Sequence, residues 1–176
     1  GKWRWVILAA VLATGMTSMA IAQDGVDDGE WRYIGGDAAH TRYSPLDEIT
    51  ADNFEDLELA WLWRGDNYGP NALGVSRSTP IYVDGVLYTV AGARRTVVAI
   101  DPATGETLWT YREPHTTRVD RGMRNGYGKG VAYEEIDGRG VIYVITPAFF
   151  LHALDAKTGL PLENWGTSVS LPGFPR

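Results

Sequence analysis

From residue 81 onward the chain alternates apolar and polar positions in short runs, punctuated by Asp-Gly pairs. Ile81-Tyr82-Val83-Asp84-Gly85-Val86-Leu87-Tyr88-Thr89-Val90 reads as a β-hairpin with Asp-Gly at its turn. Val131 to Ile145 repeats that pattern and turns at Asp137-Gly138. A third strand is predicted after each hairpin, Thr96 to Ile100 and Phe150 to Leu154. AIDPATGETLWTY from Ala99 and ALDAKTGLPLENW from Ala153 then say nearly the same thing twice, with Asp101 and Asp155 54 positions apart. Each unit therefore predicts three or four short antiparallel strands, the last holding Trp109 or Trp165. No 3.6-residue apolar pattern spans either unit, so the period points to propeller blades rather than a helical solenoid.

The shared D-x-x-T-G stretch predicts a turn on physical grounds. Asp101 and Asp155 can accept from backbone N–H groups two and three residues on. Pro102 presets one corner, and Gly105 or Gly159 supplies the positive φ that enters the next strand. Trp109 follows its glycine by four residues and Trp165 by six, so the second copy carries an insertion that includes Pro161. A large flat ring at this place suits the seal between one blade and the next.

Ahead of the repeats, Thr50 is an expected N-cap with Ile49 and Phe54 as a hydrophobic staple, for a short helix ending near Asp56. Leu57, Leu59 and Trp61 alternate, predicting a strand from Leu57 to Trp63. This stretch reads as packing that closes a ring rather than as a ligand site. Lys2 and Arg4, the apolar run from Val6 to Ala13 and the Ala20-Ile21-Ala22 pattern resemble a secretory signal peptide, the alternative being an uncleaved anchor. The organisation expected is 1–22 signal or anchor, 23–63 leading segment with a short helix and closing strand, and 64–176 the first two blades, incomplete. The chain starts at Gly1 and stops at Arg176 without a recognisable ending, as a piece of a longer protein would.

Composition narrows the function. A net charge of −6 and a pI near 5.0 argue against a nucleic-acid surface. With no cysteine there is no disulfide and no thiolate chemistry. The three histidines show no metal-ligand spacing, and His152, in a predicted strand, reads as a core histidine. The stretch from Arg112 to Lys129 differs from the rest. It holds Arg112, Arg118, Arg121, Arg124 and Lys129 against two acids, with Gly122, Gly126, Gly128 and Gly130 close by. Long blade-connecting loops lie at one end of a propeller, where ligands bind. Its bland reading is a solvated loop; its functional reading is a site for a flat, acidic ligand.

A-x-D-x-x-T-G-x-x-x-W resembles the tryptophan-docking motif of the quinoprotein dehydrogenases, eight-bladed propellers that hold pyrroloquinoline quinone (PQQ). Trp31-Arg32-Tyr33-Ile34-Gly35-Gly36-Asp37, Thr41-Arg42-Tyr43-Ser44-Pro45-Leu46 and Ala60-Trp61 are similar to that family's N-terminal segment. Lys129-Gly130-Val131-Ala132-Tyr133 is similar to its R-G-V-A-Y element. The resemblance implies an all-β fold, a β-propeller of quinoprotein type of which about two blades are present. It implies an exported, periplasmic PQQ-dependent oxidoreductase acting on CH-OH groups of an alcohol, aldose or polyol. Electrons would pass to a quinone or cytochrome c, with membrane association left open. Lys129 falls where the family's Arg meets the cofactor, and a family Glu before the first hairpin falls at Arg77. The vicinal cysteines of many alcohol-oxidising members fall at Met123 and Arg124, so that disulfide is absent. Arg77, Arg124 and Lys129 are thus the expected cofactor-binding residues. The catalytic Asp and the Ca²⁺ ligands are expected in later blades, so no catalytic or metal residue is expected in this chain. The alternative is a non-catalytic propeller scaffold of the outer-membrane assembly type, although Gln23 stands where a lipoprotein would carry Cys.

Overall fold

The alternation after residue 80 folds as a hairpin, β1 (Ile81–Val83) and β2 (Val86–Ala91), in the computed structural model, which describes residues 25–26, 29–68, 77–122 and 130–166. Asp84 and Gly85 both take positive φ, 49° and 76°, the I′ geometry whose twist suits a two-residue hairpin. β3 (Thr96–Ile100) and β4 (Thr107–Tyr111) complete a four-stranded antiparallel meander in the order β1-β2-β3-β4. TVVAI of β3 is buried at every position, as a continuous apolar run between two covered faces should be.

The second unit repeats this path with one strand fewer among the described residues. β5 (Ala132–Ile136) and β6 (Arg139–Ile145) turn at Asp137-Gly138, with φ of 51° and 74°, and β7 (Leu151–Asp155) pairs with β6. Among the described residues, which end at 166, no strand forms around Trp165. Only an isolated bridge joins Leu154 to Pro161, and Leu162 N donates to Ala153 O at 2.9 Å. Asn164 turns the chain away at φ 60°. Between the sheets lies α1 (Thr117–Gly122), which the alternation did not predict. Thr116 Oγ1 caps it, accepting from Val119 N at 3.3 Å.

The sheets pack face to face. Ile81, Val83, Tyr88, Val90, Val97 and Ala99 of the first meet Val131, Tyr133, Ile142, Val144, Leu154 and Ala156 of the second. The other face of the first sheet, around Val98 and Ile100, is covered by Trp61, Trp63 and Tyr68. Trp31 bridges Tyr82 on the free edge of β1, with N···O distances of 2.8 and 3.0 Å.

The leading segment departs from its expectation. Phe54–Asp56 makes a single 3₁₀ turn, and Thr50 does not cap it. Asn53 instead accepts from Thr50 N through Oδ1 at 2.7 Å and donates to Glu48 O at 2.8 Å, so its amide closes a local turn in place of a helix. Ile49 and Phe54 are 63% and 65% exposed, and no staple forms. Residues 57–64 carry no ladder among the described residues.

Candidate functional site

Both D-x-x-T-G turns close as their sequence predicts. Asp101 Oδ1 accepts from Ala103 N at 2.7 Å and Thr104 N at 3.2 Å; Asp155 Oδ1 accepts from Lys157 N at 3.1 Å and Thr158 N at 2.9 Å. Gly105 N and Gly159 N each return to the carbonyl of their own Asp at 2.8 Å. Burial pushes the Asp155 carboxyl up, but hydrogen bonds from Arg139 and Thr158 outweigh it and hold the pKa below the usual carboxylate value. These aspartates are consumed by turn geometry.

The turns also receive tryptophans. Trp109 Nε1 donates to Ala156 O at 3.0 Å, and a Cβ added at Gly159 would lie 2.4 Å from its ring. Trp61 Nε1 donates to Pro102 O at 2.8 Å, and a Cβ at Gly105 would lie 2.7 Å from that ring. In both cases the acceptor is the residue after the Asp. Trp61 is thus the counterpart of Trp109 one blade earlier, an equivalence the sequence spacing concealed.

The opposite end of the sheets carries the loops. Arg77 is exposed in the lead to β1. Gly130, with φ 106°, approaches so near that an added Cβ would lie 3.2 Å from Thr79 O. The leads into the first strand of each sheet, β1 and β5, therefore lie side by side at this end. Arg124 and Lys129, the other two expected cofactor residues, lie outside the described residues. Of the basic stretch, Arg112 is exposed but tethered at its Nε and Arg118 is buried. Arg112 Nε donates to Thr96 Oγ1 at 3.1 Å, and Arg118 lies buried over the Phe150 ring at 4.4 Å. His115 stands between Arg94 at 3.2 Å and Asp120 at 2.9 Å.

Beneath that surface sits a polar cluster that sequence reasoning missed. Glu113, 6% exposed, accepts from Thr146 Oγ1 at 2.6 Å and from Ala148 N at 3.2 Å. His152 shares a hydrogen bond of 3.2 Å between Nδ1 and the Tyr111 hydroxyl, and its buried Nε2 has no hydrogen-bond partner among the described residues. Burial lowers the His152 pKa, and the charge of Glu113 opposes the shift. The only advance signal for Glu113 was an acid directly after a predicted strand and inside a basic stretch.

A second network lies at the turn end. Glu30 pairs with Arg32 and accepts from Asp84 N at 2.9 Å, Tyr133 donates to Asp84 Oδ2 at 2.9 Å, and Arg32 lies 5.4 Å from the Tyr133 ring centroid. It pins the leading segment to both sheets. Burial and Asp84 together push the Tyr133 pKa up. Among the described residues no group of three His, Cys, Asp or Glu side chains could hold a metal ion, and no helix is long and apolar enough to cross a membrane.

Meander sheets stacked face to face, each receiving a tryptophan on its last turn, are blades of a β-propeller. Residues 31–171 match the family described as PQQ: glucose/ethanol/alcohol dehydrogenase, beta-propeller domain, and the chain belongs to that family. It is 33% identical over 201 residues to a quinohemoprotein alcohol dehydrogenase of Comamonas testosteroni, covering 100% of this chain and 27% of the relative. The crystal structure of a quinohemoprotein alcohol dehydrogenase from that organism superposes with a TM-score of 0.59 at 37% identity, over 80% of this chain and 20% of the other. A 1-butanol dehydrogenase (cytochrome c) of Thauera butanivorans is 40% identical over 164 residues, 84% of this chain and 21% of that protein. Quinoprotein glucose dehydrogenase A of Acinetobacter calcoaceticus is 33% identical over 125 residues, 69% of this chain and 15% of that protein. The chain spans about a quarter of the length of the curated relatives it matches best along its own length.

Proposed function

We propose that this chain forms part of an exported, periplasmic PQQ-dependent dehydrogenase that oxidises an alcohol and passes electrons to a quinone or cytochrome c, aldoses and polyols being the other substrates to test. Residues 1–22 would direct export, or anchor the protein to the membrane if uncleaved. The observation that carries the reading is the contact of Gly130 with the Thr79 backbone. It sets the Arg77 segment beside the start of the G-V-A-Y element, at one end of the blades. There Arg77, Arg124 and Lys129 would meet the carboxylates of PQQ, with the two arginines able to form forked contacts and Lys129 a point charge. Bound PQQ would supply a quinone that accepts a hydride equivalent from the substrate carbinol. The Ca²⁺ that accompanies PQQ would take its ligands from later blades. An alcohol is preferred as substrate because the 1-butanol dehydrogenase is 40% identical and the glucose dehydrogenase 33%.

The test is a PQQ titration of full-length apoprotein with Ca²⁺ present, followed by dye-linked oxidation of 1-butanol and of glucose. Wild type is expected to saturate with PQQ and to favour the alcohol. Lys129→Ala is expected to weaken PQQ binding about ten- to a hundredfold, the worth of one charged hydrogen bond. Arg77→Ala and Arg124→Ala should also weaken it. Arg112→Ala should do so least, since its Nε is engaged by Thr96. Variants at Arg77, Arg124 and Lys129 that all titrate like wild type would reduce the basic stretch to a solvated surface.

A further inference from the structure

Three charged side chains of the first blade close on one loop of the second. Arg95, between β2 and β3, donates from Nη1 to Ile145 O at 3.2 Å and Thr146 O at 3.4 Å. Glu113, between β4 and α1, takes the Thr146 hydroxyl and the Ala148 N–H. Arg118, on α1, covers the Phe150 ring. Glu113 and Arg118 are 6% and 9% exposed. The loop, residues 146–150, is tightened from within by Thr146 N donating to Phe150 O at 2.9 Å. Taking a carboxylate out of water costs several kcal/mol before its partners repay it, and apolar packing would fasten a loop without that cost. Hydrogen bonds to a buried carboxylate do what apolar packing does not: they fix direction. β6 leaves for this loop two residues beyond the Ala132–Tyr143 pair, so the loop borders the end that carries Gly130 and Arg77.

We infer that Glu113 is a positioning residue for the cofactor end of the propeller, setting the 146–150 loop of the second blade through Thr146 and Ala148. The inference rests on the PQQ reading above and concerns a residue that need not touch the cofactor. Glu113→Gln keeps size and one acceptor oxygen for Ala148 N–H but removes the charge, and its amide N–H₂ makes the Thr146 hydroxyl turn from donating to a carboxylate to accepting from an amide. Thr146→Val removes the hydroxyl and leaves the carboxylate in place.

The experiment is an equilibrium titration of full-length apoprotein with PQQ, read by tryptophan fluorescence quenching, with folding checked by near-UV circular dichroism. Each single variant is expected to bind PQQ about tenfold more weakly while remaining folded. The double variant should be no weaker than the weaker single, because both remove the same link. A folded Glu113→Gln protein that binds within about twofold of wild type overturns the inference, as does a double variant whose losses simply add. Wild-type protein that fails to quench with PQQ overturns the dehydrogenase reading and takes this inference with it. Quenching by wild type alongside unaffected variants overturns the inference alone.

Discussion

A methyl group at Gly138 would meet nothing within 4 Å, whereas one at Gly159 would lie 2.4 Å from the ring of Trp109, although the two glycines share nearly the same φ, 74° and 70°. The pair separates backbone strain from docking. Gly138→Ala should cost about 1–2 kcal/mol, the penalty of a left-handed alanine. Gly159→Ala should cost more, since the ring must also leave its seat. Trp109→Ala should cost about 3–5 kcal/mol as a large truncation at a blade boundary. Trp109→Phe should lose about 1 kcal/mol for the bond to Ala156 O in addition to the smaller ring contact. Denaturant unfolding of the full-length protein measures all four, and equal losses for the two glycine variants would show that Trp109 does not seat on that turn. At this scale the sequence was legible where partners are local. Asp101 and Asp155 bond residues two and three positions on, so their motif announced the turn. Glu113 finds its partners 33 and 35 positions on, and no local pattern marks a carboxylate for burial.

The hairpins were legible as elements because period-two alternation and an Asp-Gly turn are both short-range signals. The strand expected at Leu57–Trp63 was not, because its alternation is real but a strand also needs a partner. Trp61 and Trp63 turn inward, with Trp63 stacked on Tyr68 at 5.4 Å, while Leu57, Leu59 and Leu62 stay exposed. α1 escaped notice since six residues are too few to show a helical period. Element packing also sets a pH response. β7 presents His152 to Tyr111 of β4, with Glu113 and Phe150 as its other near neighbours. Burial lowers the folded pKa below the ordinary value near 6.5, and the Glu113 charge only partly offsets it. The unfolded chain therefore binds the proton more readily. The contribution of neutral His152 is complete above pH about 6.5 and is lost as pH falls from there through the folded pKa. Between pH 7.5 and 5.5 the wild-type protein should lose more stability than His152→Gln, measured as denaturant midpoints at both pH values. An identical pH slope in the two proteins would mean that His152 titrates as it does unfolded.

Across the whole molecule the tryptophans form a series. Trp61 seats on the turn at 101–105, Trp109 on the turn at 155–159, and Trp165, 38% exposed, has the Tyr143 ring beside it at 5.5 Å. Each blade thus lends its ring to the next and borrows one from the blade before, so stability in such an array is a sum of neighbour terms. Two stacked sheets satisfy one boundary and leave large apolar side chains exposed on the second sheet and on the leading segment that covers the first. Ile145 and Leu151 are 58% and 53% exposed, and Leu59 and Leu62 reach 81% and 77%. Unpaired strand edges at those margins are templates for pairing with other chains. Residues 24–176 produced alone should therefore associate or melt over a broad range, with dye-binding hydrophobic surface already exposed at low temperature. Supplying the remaining blades in one polypeptide should sharpen the transition and suppress the dye signal. Sedimentation and a thermal scan decide the matter: a monomer with a sharp, reversible transition would mean that two blades and one docking tryptophan suffice, and that the neighbour terms beyond them are small.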